Sequence, residues 1–224
     1  MGSAASSCRS SALKRSTFYF KPSTWWGNDV HRTLFTALRM TAISVFLFGV
    51  LYPIAIWGLA RIAFPFQSAG SLVRVNGTII GSAIVGERWT QARYFHGRPS
   101  AAGKLGYDPT ATGGSNFGPD SKALLAREIA GIAALRKQNP LSAGMPPVGL
   151  LAASGSGIDP DISPADARYQ AARIAAARAL PLRRVLAIIA SHIEARTFGF
   201  LGEPRVNVLA LNLALDRISG ASTQ

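Results

Sequence analysis

Two short polar stretches hold most of the side chains that could do chemistry. The first is His96-Gly97-Arg98-Pro99-Ser100, which places an imidazole, a guanidinium and a hydroxyl close together. Such a set can recognise an anion or contact a partner. Its structural alternative is a loop in which Arg98 and Ser100 tie down backbone carbonyls. The second is Ala153-Ser154-Gly155-Ser156-Gly157-Ile158-Asp159-Pro160, followed by Gln170 on the next helix. It reads either as a loop facing a nucleotide or partner, or as a turn whose small residues permit positive φ, with an Asx cap at Asp159. Ser154 or Ser156 with His96 or His192 would supply the nucleophile and base of an exported serine hydrolase. That reading also needs an acid and an oxyanion site, and the sequence displays neither.

Other chemistries lack their motifs. Gly103-Lys104 comes nearest to a phosphate-binding loop, but Arg98 stands at the position five before Gly103 and Leu105 follows the lysine. No Asp-Lys-Thr-Gly is present to form an aspartyl-phosphate. The Ala-Ser-Gly-Ser-Gly run does not match a nucleophile elbow. His192-x-Glu194 lacks the paired cysteines of a zinc deaminase. Cys8 is the single cysteine, so disulfides within the chain and cysteine-based zinc sites are excluded. With His31, His96 and His192 as the three histidines, a three-histidine metal site is not expected, nor is a tightly bound cofactor. The net charge of +13 is spread along the chain without the aromatic interleaving of an RNA-binding sheet. We therefore expect no nucleic-acid partner.

The elements that must position these residues can be traced. Leu72–Val75 and Thr78–Ile80 flank Asn76-Gly77, a strong hairpin signal, and a further strand is expected over Ser82–Val85. Residues 94–119 read as loop, long enough to suggest a function. A helix is predicted from Ser121 to Gln138, capped by Asp120 or Ser121, with Leu125, Ile129 and Ile132 on one face. Ser163-Pro164 opens an Ala-rich helix reaching Ala179, and Pro181 opens another. Val206–Ile218 reads as a buried final helix, with a strand at its start as the alternative. The fold class expected is α+β, with an early β-hairpin or sheet and later helices.

Ahead of this domain, Arg39 and Arg61 bracket a charge-free run, Met40–Ala60. At about 1.5 Å per residue, about 20 helical residues cross a hydrocarbon core of about 30 Å. The run exceeds a signal-peptide core and continues into Phe64-Pro65-Phe66. The organisation expected is a disordered basic tail over 1–29, a transmembrane anchor region over 30–64 spanning about 40–60, and a soluble extracytoplasmic domain over 65–224. Gly2, Ser6 and Cys8 fit a short acylation pattern. Arg9, Lys14, Arg15, Lys21, Arg32 and Arg39 precede the span, against Arg61 and Arg74 just after it. That imbalance favours a cytoplasmic N-terminus, and the N-terminal cations suit the anionic lipid of an inner leaflet.

Seven segments in order resemble the C subunit of the Kdp-type potassium-transporting P-type ATPase. They are Gly49-Val50-Leu51-Tyr52-Pro53, Gly70-Ser71-Leu72, Tyr94 through Ala101, Gly113-Gly114-Ser115-Asn116, Ala153 through Pro160, Arg173-Ile174-Ala175 with Arg178, and Asn207-Val208 through Leu211–Asp216. The chain departs from the family pattern at Glu87, Ala152 and Ala172, where glutamine, a polar residue such as threonine, and proline are usual. The resemblance implies a single-pass accessory subunit of a high-affinity potassium-uptake complex in the bacterial inner membrane. Its partners would be a potassium-pore subunit and an ATP-hydrolysing subunit. ATP would be met only through the complex, with Gln170 carrying any assistance to nucleotide binding. Tyr52 and Pro53 would belong to the assembly pattern of the anchor.

Overall fold

The computed structural model describes residues 26–219, with side chains over 30–218. The proposed acylation pattern at Gly2, Ser6 and Cys8 lies outside the described residues. The chain divides into two units between Leu59 and Ala60.

The N-terminal helix begins earlier than expected. α1 covers Trp26–Phe46, a π-helical turn follows at Leu47–Leu51, and α2 continues over Tyr52–Ala63. Pro53 explains the π turn. It has no N–H, and its ring would clash with the carbonyl four residues back. Widening the turn relieves the clash, and the Tyr52 N–H bonds to the Leu47 carbonyl, five residues earlier. Val30–Ala63 is long and apolar enough to cross a membrane, and none of its most apolar stretch is buried against the rest of the protein.

In the second unit, α3 (Pro65–Ser68) leads into β1 (Leu72–Val75) and β2 (Thr78–Ser82). These pair antiparallel, with a register shift between Val73 and Arg74. Asn76 and Gly77 both take positive φ, as a two-residue hairpin turn of this hand requires. The strand expected over Ser82–Val85 reduces to one isolated bridge between those two residues. The stretch from residue 94 to 119 contains neither helix nor strand. α4 (Lys122–Gln138) is capped by the Ser121 hydroxyl, which accepts from the Leu124 N–H. Its inward face is not the expected one: Leu125 and Ile129 are exposed, while Leu124, Ile132 and Leu135 are half-buried.

A short 3-10 turn at Val148–Leu150 precedes β3 (Asp161–Ile162) and α5 (Pro164–Ala177). α5 opens with a reciprocal capping box between Ser163 and Asp166, with Pro164 at the first turn. α6 (Leu182–Ser191), β4 (Ile193–Glu194), β5 (Arg205–Asn207) and α7 (Val208–Ser219) complete the chain. The final segment is thus a strand followed by a helix. β5 lies between β3 and β4, antiparallel to both. Ile162, Val206 and Ile193 stand in one row across this sheet. They join Ile174, Val185, Ile189, Leu211 and Leu215 from the helices in a single core that also holds Phe95.

Candidate functional site

The core is crossed by a segment without regular secondary structure. All five carbonyls from Ala92 to His96 accept hydrogen bonds from side chains on α5 and α7. Asn212 of α7 accepts from the Phe95 N–H at 2.8 Å and donates to the Phe95 carbonyl at 3.1 Å. Gln170 of α5 treats the next residue in the same way. It accepts from the His96 N–H at 2.9 Å and donates to the His96 carbonyl at 3.0 Å. Two amide side chains therefore do for consecutive residues what neighbouring strands do in a sheet.

Arginines complete the set. Arg173 donates through Nη1 to the Ala92 and Tyr94 carbonyls, through Nε to Asn139 Oδ1 at 2.9 Å, and through Nη2 to Gln170 Oε1 at 2.8 Å. Its partners are thus neutral oxygens. Burial draws the guanidinium down to about 10, so it stays charged at neutral pH. Arg178 donates to the Arg93 carbonyl at 2.7 Å and forms a buried pair with Asp216 at 2.8 Å. The Tyr94 hydroxyl donates to the other Asp216 oxygen, and the Arg178 guanidinium lies over the Tyr94 ring. His96 Nε2 lies 3.1 Å from the Gln91 carbonyl. Burial, then the nearby Arg173 charge, hold the His96 imidazole below its ordinary value.

The two stretches singled out by sequence interlock directly. The Ser100 hydroxyl donates to the Gly157 carbonyl and accepts from the Ala102 and Tyr107 N–H groups. The Ser154 N–H donates to the Pro99 carbonyl at 3.0 Å. Arg98 pairs with Asp159 at 3.0 Å. Tyr107 donates its hydroxyl to the Arg98 carbonyl at 2.6 Å, and burial above all, then the Asp159 charge, push that phenol up to about 12. A Cβ at Gly97 would lie 2.3 Å from the Tyr107 hydroxyl. Gly157 has φ +74, and a Cβ there would meet Ala102 at 2.7 Å. Asp159 accepts from the Asp161 N–H, the Asx turn expected of it.

This geometry decides between the two readings of each loop. Arg98 and Ser100 face the chain itself. Ser154 is 3% exposed, and its hydroxyl is engaged by the Gly157 N–H and Ser156. Neither serine is hydrogen-bonded to His96 or His192 among the described residues, so the hydrolase arrangement is not assembled. Gln170 is 2% exposed and committed to His96 and Arg173, so a nucleotide would have to open that clamp to reach it. Gly155 packs beside the close approach of Gly114, whose Cβ would lie 3.2 Å from the Gly155 carbonyl. Tyr52 and Pro53 belong to the N-terminal helix. No group of three or more metal-ligating side chains occurs among the described residues.

Sequence reasoning named Arg173, Arg178, Asn212 and Asp216 only within family-like segments and assigned them no role. One signal pointed to them. Asn212 and Asp216 interrupt an otherwise apolar helix four residues apart, which puts both on one face. Away from this network, an open groove of about 520 Å³ is lined by Leu141, Met145, Tyr169, Ala172, Leu182 and Leu186.

An α+β domain whose polar centre is turned on its own backbone, in a chain with one membrane-length apolar helix, defines a single-helix membrane protein. Residues 34–217 match the model of the KdpC family, the K+-transporting ATPase c chain, and the chain belongs to that family. It is 52% identical over 189 residues to a potassium-transporting ATPase KdpC subunit of Myxococcus xanthus, covering 84% of this chain and 89% of that one. Subunits of the same name from Gemmatimonas aurantiaca and Variovorax paradoxus are each 50% identical, over 83% of this chain and 93% and 96% of theirs.

Proposed function

We propose that this chain is the non-catalytic accessory subunit of an ATP-driven potassium-uptake complex, holding the pore and ATP-hydrolysing subunits together. The observation that carries this reading is the inward commitment of the polar residues. The most chemical side chains, from His96 to Ser100 and from Ser154 to Asp159, bond to the chain's own backbone or to one another. What remains for partners is the outer surface and the apolar helix. Deleting Met40–Ala60 is expected to abolish recovery of the other subunits in an affinity pull-down from membranes. Undiminished recovery of a potassium-pump complex would sink the reading.

The topology that goes with it is a cytoplasmic N-terminus and an extracytoplasmic domain, supported by the basic residues before the span. Cys8, the single thiol, gives a direct test. A membrane-impermeant maleimide should leave it unlabelled in intact spheroplasts and label it once they are permeabilised. Labelling of intact spheroplasts reverses the topology. Assistance to nucleotide binding is the second role that family resemblance attaches to this chain, through Gln170. A fluorescent ATP analogue titrated into the full chain, with Gln170→Leu as comparison, tests it. Equal or absent binding in both removes Gln170 from any such role.

A further inference from the structure

The π turn leaves an unmet need in the middle of the apolar helix. Tyr52 gives its N–H to Leu47, and Pro53 has none to give. The carbonyls of Phe48 and Gly49 therefore share at most one donor within the helix, the amide of Ile54. The turn lies at the centre of the charge-free run between Arg39 and Arg61. In hydrocarbon no water or lipid tail can donate to a bare carbonyl, so such a group is costly unless protein supplies the bond. Nothing in this chain covers it: Phe48 is 66% exposed and Val50 43%. A Cβ added to Gly49 would meet only Val45, at 3.8 Å. The glycine is thus not required by the helix's own packing, and its missing side chain opens the backbone to a neighbour.

We infer that the Phe48–Pro53 turn is a docking notch for a transmembrane helix of another subunit, which donates a side-chain hydroxyl or amide hydrogen to the exposed carbonyl beside Gly49. Lipid cannot fill this role because it has no donor at that depth. Small residues let helix backbones approach closely, and polar side chains then bond across the interface. The inference rests on the assembly role proposed above and names the contact that serves it.

The test uses the full chain co-expressed with the pore and ATP-hydrolysing subunits. Gly49→Leu fills the notch and is expected to cut recovery of the partners at least tenfold, while the chain still reaches the membrane fraction. Pro53→Ala supplies the missing amide and should cut recovery several-fold. Gly58→Leu, where a Cβ meets nothing within 4 Å, should recover partners at the wild-type level. A carbon-13, oxygen-18 label on the Gly49 carbonyl gives a direct readout. Its infrared amide band should lie at lower frequency in the complex than in the chain alone in vesicles. Wild-type recovery with Gly49→Leu, or an unmoved band, overturns the notch and leaves the assembly role standing. Failure of the wild-type chain to recover any partner overturns the assembly role itself. Recovery of a differently tagged second copy through Gly49, without other subunits, overturns the choice of occupant.

Discussion

At the scale of single residues, buried side chains of α5 and α7 substitute for strand neighbours along Ala92–His96. Asn212→Asp tests this sharply, because aspartate can accept from the Phe95 N–H but cannot donate to its carbonyl. The loss expected is about 2 kcal/mol, read from a denaturant midpoint in detergent. Arg173→Met strips donors from two carbonyls and from Asn139 and Gln170, and should cost about 3 kcal/mol or more. His96 adds a pH dependence. The unfolded imidazole titrates near 6.5, while the folded one binds its proton only at lower pH. Between those values the unfolded state holds more protons, so stability falls as pH drops through that window and the loss is complete below the folded value. Melting curves from pH 8 to 5 should show this decline, and His96→Gln should flatten it. An unchanged slope in the variant would assign the decline to other groups.

At the scale of elements, what was legible was what is local. Asn76-Gly77 announces its hairpin, and Ser163-Pro164 announces the start of α5, because each signal lies within a few residues of its effect. The α4 face was not legible. Leu124, Ile132 and Leu135 form one helical stripe and Leu125 with Ile129 another, and tertiary contact chooses between them. Leu151 lies against Gly131 on the chosen side. The two- and three-residue strands β3, β4 and β5 are too short for alternation to show, and their pairing depends on residues far apart in sequence. The π turn illustrates a middle case: Pro53 signals a disturbance, but not its form. The interlocked loops also belong to this scale. Gly157→Ala combines a left-handed φ with a contact at 2.7 Å and should cost roughly 3 kcal/mol. Gly118→Ala, with open space around it and no positive φ, should cost less than about 0.5 kcal/mol. Equal melting temperatures for the two variants would contradict the interlock.

At the scale of the whole molecule, the chain pairs an internally satisfied domain with a helix that the chain itself leaves uncovered. Both halves of that description lead outward to a complex: the domain offers a rigid surface rather than a reactive one, and the helix offers a place to join. The two roles of the helix, tether and contact, can be separated by exchange. In the exchanged chain, Met40–Ala60 is replaced by an unrelated leucine-rich span of equal length, so the domain remains anchored. Affinity recovery of the pore and ATP-hydrolysing subunits is then measured from membranes holding either chain at matched levels. The account predicts full recovery with the native helix and less than a tenth with the substitute. Equal recovery with both would contradict it, reducing the helix to a tether.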